Sequence, residues 1–232
     1  MNKNVIYKDL GIIAYDKALG LQESFLKKNV GIKLSNRKEK KDDATSNYLL
    51  FCEHPHVYTL GRNGDKENLL INNDFLEKIN ATYHEIGRGG DITYHGPGQL
   101  VGYPILDLEN FFTDIHKYMR FLEEAIIKTC AEYDLDAGRI EGLTGVWLDH
   151  KEQKFPRKIS ALGVKASRWI TMHGFALNVN TDLRYFGHIV PCGIQNKAVT
   201  SLKQELGREL DMTEVKNKVK RHLSTIFEMK FI

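Results

Sequence analysis

The sequence predicts an α/β fold of the α+β type, built on a mixed sheet. Three observations lead there. Apolar runs of strand length recur along the chain, consecutive ones often stand close together, and the helical patterns between them follow no regular βαβα alternation. The expected strands are Tyr48–Cys52, Val57–Leu60, Thr82–Ile86, Val101–Ile105, Gly145–Leu148, Ile159–Lys165 and Ile170–Val179. No internal repeat and no Pro/Gly/Ser-rich linker divides the chain, so a single domain over residues 1–232 is expected.

The helices follow from apolar spacing. Residues 14–28 carry Ala18, Leu19, Phe25 and Leu26 on one stripe, with polar Gln22 among them. The polar stretch Ser35–Asn47 then reads as a long surface loop. The clearest helix runs from about Asp114 to Tyr133. Its stripe of Ile115, Met119, Leu122, Ile126, Cys130 and Tyr133 steps by three and four residues and puts Cys130 in the core. Val215, Val219, His222 and Ile226 outline a last helix, with Thr213 as its expected N-cap.

Hydrophobic residues make up 42% of the chain and charged residues 27%, a balance that excludes fibres and disordered chains. Lys8 and Asp9 interrupt the N-terminal apolar residues, so no signal peptide is expected. No apolar run approaches the ~20 residues of a membrane span. A cytoplasmic protein without membrane contacts is the expectation. A net charge of +3 is too small to imply nucleic acid. Cys52, Cys130 and Cys192 are too few and too widely spaced for a disulfide framework or a Cys-x-x-Cys zinc site. His54-x-His56 is the only local histidine pair and has no carboxylate-rich surroundings, so no metal is expected.

Three segments carry chemistry. In Gly87–Gly102 six of sixteen residues are glycine, against 19 in the whole chain. Bare backbone of this kind lets a ligand approach closely. Arg88, Asp91, Tyr94, His95 and Gln99 stand between the glycines, and the spacing fits neither a phosphate loop nor a dinucleotide fingerprint. In the second segment Lys158 heads an apolar run, where it either snorkels to solvent or holds a charge beside a site. In the third, Cys192 stands between Pro191 and Gly193, a setting for a rigid loop that presents a nucleophile or for a buried inert thiol. A thiol titrating near ~8.5 needs a nearby base or cation, and His95 and His173 are the candidate histidines. The residues alone stop at cysteine acyl chemistry.

The set of motifs goes further. Gly87-Arg-Gly-Gly-Asp-Ile-Thr-Tyr-His-Gly-Pro-Gly-Gln-Leu-Val-Gly-Tyr-Pro104, Gly142-Leu-Thr-Gly-Val-Trp147, Lys158-Ile-Ser-Ala-Leu-Gly163, His173-Gly-Phe-Ala-Leu-Asn178 and Pro191-Cys-Gly193 resemble the octanoyltransferase family of lipoate biosynthesis. The resemblance covers about residues 48 to 206, with Glu53–Gly61 matching the family's early strand signature. It departs in the polar insertion around Ser35–Asn47, in the charged stretch Lys151–Lys154 and at His56, positions that bear on docking.

The resemblance implies the mixed-sheet catalytic-domain fold shared with biotin and lipoate protein ligases. It also implies a dyad of Cys192, the nucleophile, and Lys158, which favours the thiolate and serves as general acid/base. The acyl chain would be bound by Arg88, Gly89, Gly90, Asp91, Ile92, Thr93, Tyr94 and His95, by Ala161, Leu162 and Gly163, and by Gly174, Phe175 and Ala176. The donor implied is octanoyl-acyl carrier protein. The acceptors implied are a lysine of the lipoyl domains of 2-oxoacid dehydrogenases and of the glycine cleavage H protein. The enzyme would work as a monomer without cofactor. Such protein substrates are typically acidic, which gives Lys151, Lys154 and Arg157 a docking role. Two alternatives stand beside this one. An ATP-dependent lipoate or biotin ligase would need no nucleophilic cysteine, and a non-catalytic acyl- or protein-binding module would need neither Cys192 nor Lys158.

Overall fold

The computed structural model describes residues 2–190 and 198–232. In chain order its elements are β1 (Asn4–Ile12), α1 (Tyr15–Glu39), β2 (Asn47–Glu53), β3 (Val57–Leu60), α2 (Asn73–Lys78), β4 (Thr82–Glu85), β5 (Ile92–His95), β6 (Gln99–Ile105), α3 (Ile115–Ala131), β7 (Ala137–Ile140), β8 (Leu143–Leu148), β9 (Arg157–Ser167), β10 (Ile170–Asn178), β11 (Ala198–Val199), α4 (Leu202–Leu206), α5 (Met212–Phe227) and β12 (Lys230–Phe231). Short 3-10 turns fall at Lys66–Asn68, Leu108–Asn110 and Leu183–His188.

The main sheet has the order β12-β1-β2-β6-β10-β9-β8-β7, with β11 paired to β9. Pairs β12/β1, β1/β2 and β11/β9 are parallel and the rest antiparallel, so the expected mixed sheet is present. A second, three-stranded sheet has the order β4-β3-β5. The main sheet is covered on both faces, which is why β2, β6 and β10 read as near-continuous apolar runs. On one face α1 sets Ala18 against Tyr48, Leu50, Val101, Tyr103 and Ala176. On the other, Leu122, Ile126 and Cys130 of α3 and Val215, Val219 and Leu223 of α5 close over Leu49, Phe51, Leu100 and Phe175. Each fully buried aliphatic side chain contributes about 1.5–3 kcal/mol, set against the entropy of ordering it. Among the described residues, no helix is long and apolar enough to cross a membrane.

Several sequence expectations need correction. Helix α1 does not stop near residue 28 but runs to Glu39, so the connecting loop is confined to residues 40–46. Asn36 holds the turn: its side chain donates to Asp43 O at 2.9 Å and accepts Asp43 N–H at 3.1 Å, while Lys40 takes the left-handed conformation. The N-cap of α5 is Asp211, whose carboxylate accepts the Thr213 N–H at 2.8 Å; Thr213 is already helical. Strands β1, β5, β7, β11 and β12 are additional to the expected set.

Candidate active site

A cavity of about 490 Å³ opens between the glycine-rich segment and the middle of β9 and β10. The register places Gly163 opposite Gly174, Leu162 opposite Phe175 and Ala161 opposite Ala176. Close approach explains the glycines. A Cβ on Gly163 would lie 2.7 Å from Arg88 Nη1 and from Gly89 O, and one on Gly174 would lie 2.2 Å from Gly102 O.

The glycine segment is held largely by its own polar groups. Arg88 donates to Gly89 O and Asp91 O, both at 2.8 Å. Gly89 N–H reaches Val164 O at 3.2 Å, and Arg62 N–H reaches Arg88 O at 2.8 Å. Asp91 accepts the Asn68 side-chain amide at 2.8 Å. The chain enters β5 at Ile92 and ends at His95, which is almost wholly buried.

The neutral tautomer of His95 follows from its partner. Gln99 donates through Nε2 to Asn178 Oδ1 at 2.9 Å and to Tyr94 O at 3.2 Å, so its oxygen faces His95 Nδ1 at 2.7 Å. Nδ1 therefore carries the proton and Nε2 the lone pair. Burial, with nearby His54, pushes the His95 pKa down to about 3. His173 is likewise pushed down to about 3 by burial and the Arg88 charge, and its Nδ1 has no partner among the described residues. Two neutral imidazoles therefore line the cavity at pH 7. Neither titrates where a general base for a thiol would need to.

At the other side of the cavity, Lys158 on β9 sits between Trp147 of β8 and Val199 of β11. Its ammonium lies 4.6 Å from the centre of the Trp147 ring, a cation–π contact. Thr200 N–H donates to Lys158 O at 2.9 Å, and Thr200 Oγ1 donates to Glu205 at 2.6 Å. Glu205 also takes the Arg157 guanidinium through two bonds of 2.6 and 2.7 Å.

All the expected acyl-binding residues border the cavity except Tyr94. Tyr94 is turned into the small sheet, where its hydroxyl lies 2.7 Å from His56 Nδ1 and its ring stacks on Tyr185. Cys192 lies outside the described residues. Cys130 is buried in the core as expected, and Cys52 is buried beside His54. Burial raises the Cys130 pKa to about 12 and pushes Cys52 higher still, so neither thiol ionises near neutrality. Of the basic residues given a docking role, Arg157 is engaged with Glu205, Lys151 with Asp136 at 2.7 Å and Lys154 with Glu152 at 2.6 Å.

The sequence reading gave no site role to Tyr15, Val101, Tyr103, Leu143, Trp147 and Phe186, which also line the cavity. Tyr103 is ordered from behind. His54 Nδ1 lies 2.7 Å from Ile13 O and so carries the proton, leaving Nε2 to accept the Tyr103 hydroxyl at 2.7 Å. An aromatic on a continuous apolar strand gives no sign in sequence of which face it presents.

The lipoyl protein ligase A/B catalytic domain matches residues 15–224. An octanoyltransferase of Flavobacterium johnsoniae is 60% identical over 233 residues, covering 100% of both chains. The chain belongs to the octanoyltransferase family. This is a family of acyltransferases, as the motifs implied. The fold it shares with ligases is equally plain. A bipartite lipoate protein ligase of Thermoplasma acidophilum superimposes with a TM-score of 0.71 at 16% identity, covering 100% of this chain and 86% of the other. A biotin protein ligase of Aquifex aeolicus in complex with biotin and ATP gives 0.53 at 15% identity, covering 98% and 71%.

Proposed function

We propose that the protein transfers an octanoyl group from octanoyl-acyl carrier protein to a lysine of lipoyl domains and of the glycine cleavage H protein, through an octanoyl thioester on Cys192. The observation that carries the chemistry is Lys158, a cation at the cavity wall with its charge 4.6 Å from the Trp147 ring centre. An ammonium there favours a thiolate brought near it. The chain on both sides of Cys192 borders the cavity: Phe186 lies six residues before it and Val199 seven after, the latter paired with Lys158.

In this mechanism the Cys192 thiolate attacks the donor thioester and expels the carrier thiol, which takes up a proton. The acceptor amine then attacks octanoyl-Cys192, Lys158 mediates the proton transfers, and the thiolate returns as leaving group. Exchange between two thioesters is nearly balanced, and the amide product is far more stable, so no ATP is consumed. The cavity is lined mainly by aliphatic and aromatic side chains and bare glycine backbone, a lining suited to an alkyl chain. The whole chain is taken to act as one catalytic domain, as a monomer in the cytoplasm. Transfer to an apo lipoyl domain without ATP tests the proposal: Lys158→Ala and Cys192→Ala each abolish it, and substantial activity in either would sink the dyad.

A further inference from the structure

Glu123 is a fully buried carboxylate on α3, on the same apolar stripe as Ile126 and Cys130. A buried charge is costly unless its oxygens are satisfied. One oxygen, Oε2, takes Arg139 Nε at 2.9 Å and Arg120 Nη1 at 3.0 Å. The other reaches out of the helix to the sheet, where Oε1 accepts the Gly145 N–H at 3.0 Å. Glu124, the remaining charged neighbour, takes the other end of Arg139 at 2.9 Å.

Gly145 is the residue on which the Lys158 side chain lies. A Cβ there would stand 3.2 Å from Lys158 Cε, 3.4 Å from Lys158 Cδ and 2.8 Å from Ser160 O, and its φ of +125° suits glycine alone. The β8/β9 ladder is irregular at this point. Val146 pairs with Ser160 and Trp147 with Lys158, so Ile159 is an extra residue. A bulge of this kind re-aims the side chains beside it.

The geometry points to Glu123 as a positioning residue for the reaction: through Gly145 it clamps β8 at the bulge and so fixes where the Lys158 ammonium stands. This rests on the role given to Lys158 and Cys192 above. The carboxylate is needed as such, because both its oxygens accept while Arg120, Arg139 and Gly145 all donate. An amide in its place would set an NH2 group against a donor whichever way it turned.

The test is the pH dependence of Cys192 alkylation by iodoacetamide under native conditions, read by mass. Cys52 and Cys130 are buried and stay unmodified. Lys158→Met calibrates the assay by raising the alkylation midpoint. Glu123→Gln, which changes no volume, is expected to raise it in the same direction by about one pH unit. It should also lower the turnover number about 10- to 100-fold with little change in donor KM. Glu124→Gln, which touches Arg139 but not β8, leaves the midpoint in place. Gly145→Ala, which presses on the lysine stem directly, is the second variant should Glu123→Gln fail to fold, and is expected to raise the midpoint as well. A midpoint that moves with Lys158→Met but not with Glu123→Gln or Gly145→Ala would reduce Glu123 to a structural residue. A midpoint unmoved by Lys158→Met would remove the dyad on which the inference stands.

Discussion

Asn68 donates its side-chain amide to Asp91 Oδ2 at 2.8 Å, while its carbonyl accepts the Val190 N–H at 2.9 Å. One residue thus joins the glycine segment on the cavity wall to the chain two residues before Cys192. Leu70 N–H, bound to His188 O at 2.9 Å, extends the same seam. Asn68→Ala is expected to slow octanoyl-enzyme formation about 10-fold. The backbone bond to Val190 survives, so melting temperature should fall by only a few degrees. Rapid-quench measurement of the first half-reaction checks this.

Gly163→Ala tests the contact between β9 and the glycine segment. The new Cβ would meet Arg88 Nη1 and the Gly89 carbonyl at 2.7 Å. Overpacking of this sort costs about 1–3 kcal/mol. Because the atoms displaced form the cavity wall, KM for the acyl donor should rise along with the loss of stability, as donor titrations and urea melts would show.

Tyr103→Phe removes the donor that satisfies His54 Nε2 in a buried site. Only the weak Cys52 thiol, 3.5 Å away, would then remain to that nitrogen, and a buried acceptor that loses its good donor costs about 1–3 kcal/mol. Reduced stability with the cavity volume nearly unchanged is expected. Thermal melts and a chain-length series of acyl donors would show the first without a shift in the second.

His95 and His173 set an acid limit on stability. Both are held neutral in the folded state with pKa values near 3, against 6.5 for the ordinary side chain. The unfolded chain therefore binds more protons as soon as pH drops below about 6.5. Stability is complete above that pH and is lost on acidification towards 3, at about 1.4 kcal/mol per pH unit for each histidine. His173→Gln should flatten the decline between pH 6.5 and 5 in urea-melt midpoints.

The sheet was legible where both faces are buried, because β2, β6 and β10 then spell unbroken apolar runs. Strand β1 escaped because it is mostly half-buried or exposed, with Val5 alone fully enclosed, and polar Lys8 and Asp9 stand within it. The second half of α1 escaped because solvated Arg37 and Lys38 give no apolar stripe to read. At the site, the glycines marked where backbones meet, since Gly163 and Gly174 are required by contacts under 3 Å. Tyr94 does not border the cavity because its ring is packed among Tyr58, Tyr185 and Phe186, contacts that no local pattern in the sequence announces. Glu123 did leave a trace: a carboxylate three residues before Ile126 and seven before Cys130 on an apolar stripe calls for a buried partner. Its partners Arg139 and Gly145 come from another part of the chain, and only the fold brings them together.

The central claim, a covalent octanoyl-enzyme on Cys192, is tested most directly by intact mass. The purified protein is incubated with octanoyl-acyl carrier protein, without ATP and without acceptor. One octanoyl group should be added to the native chain and none to Cys192→Ser. No adduct on the native chain under these conditions would contradict the thioester route and point to direct transfer or to a ligase.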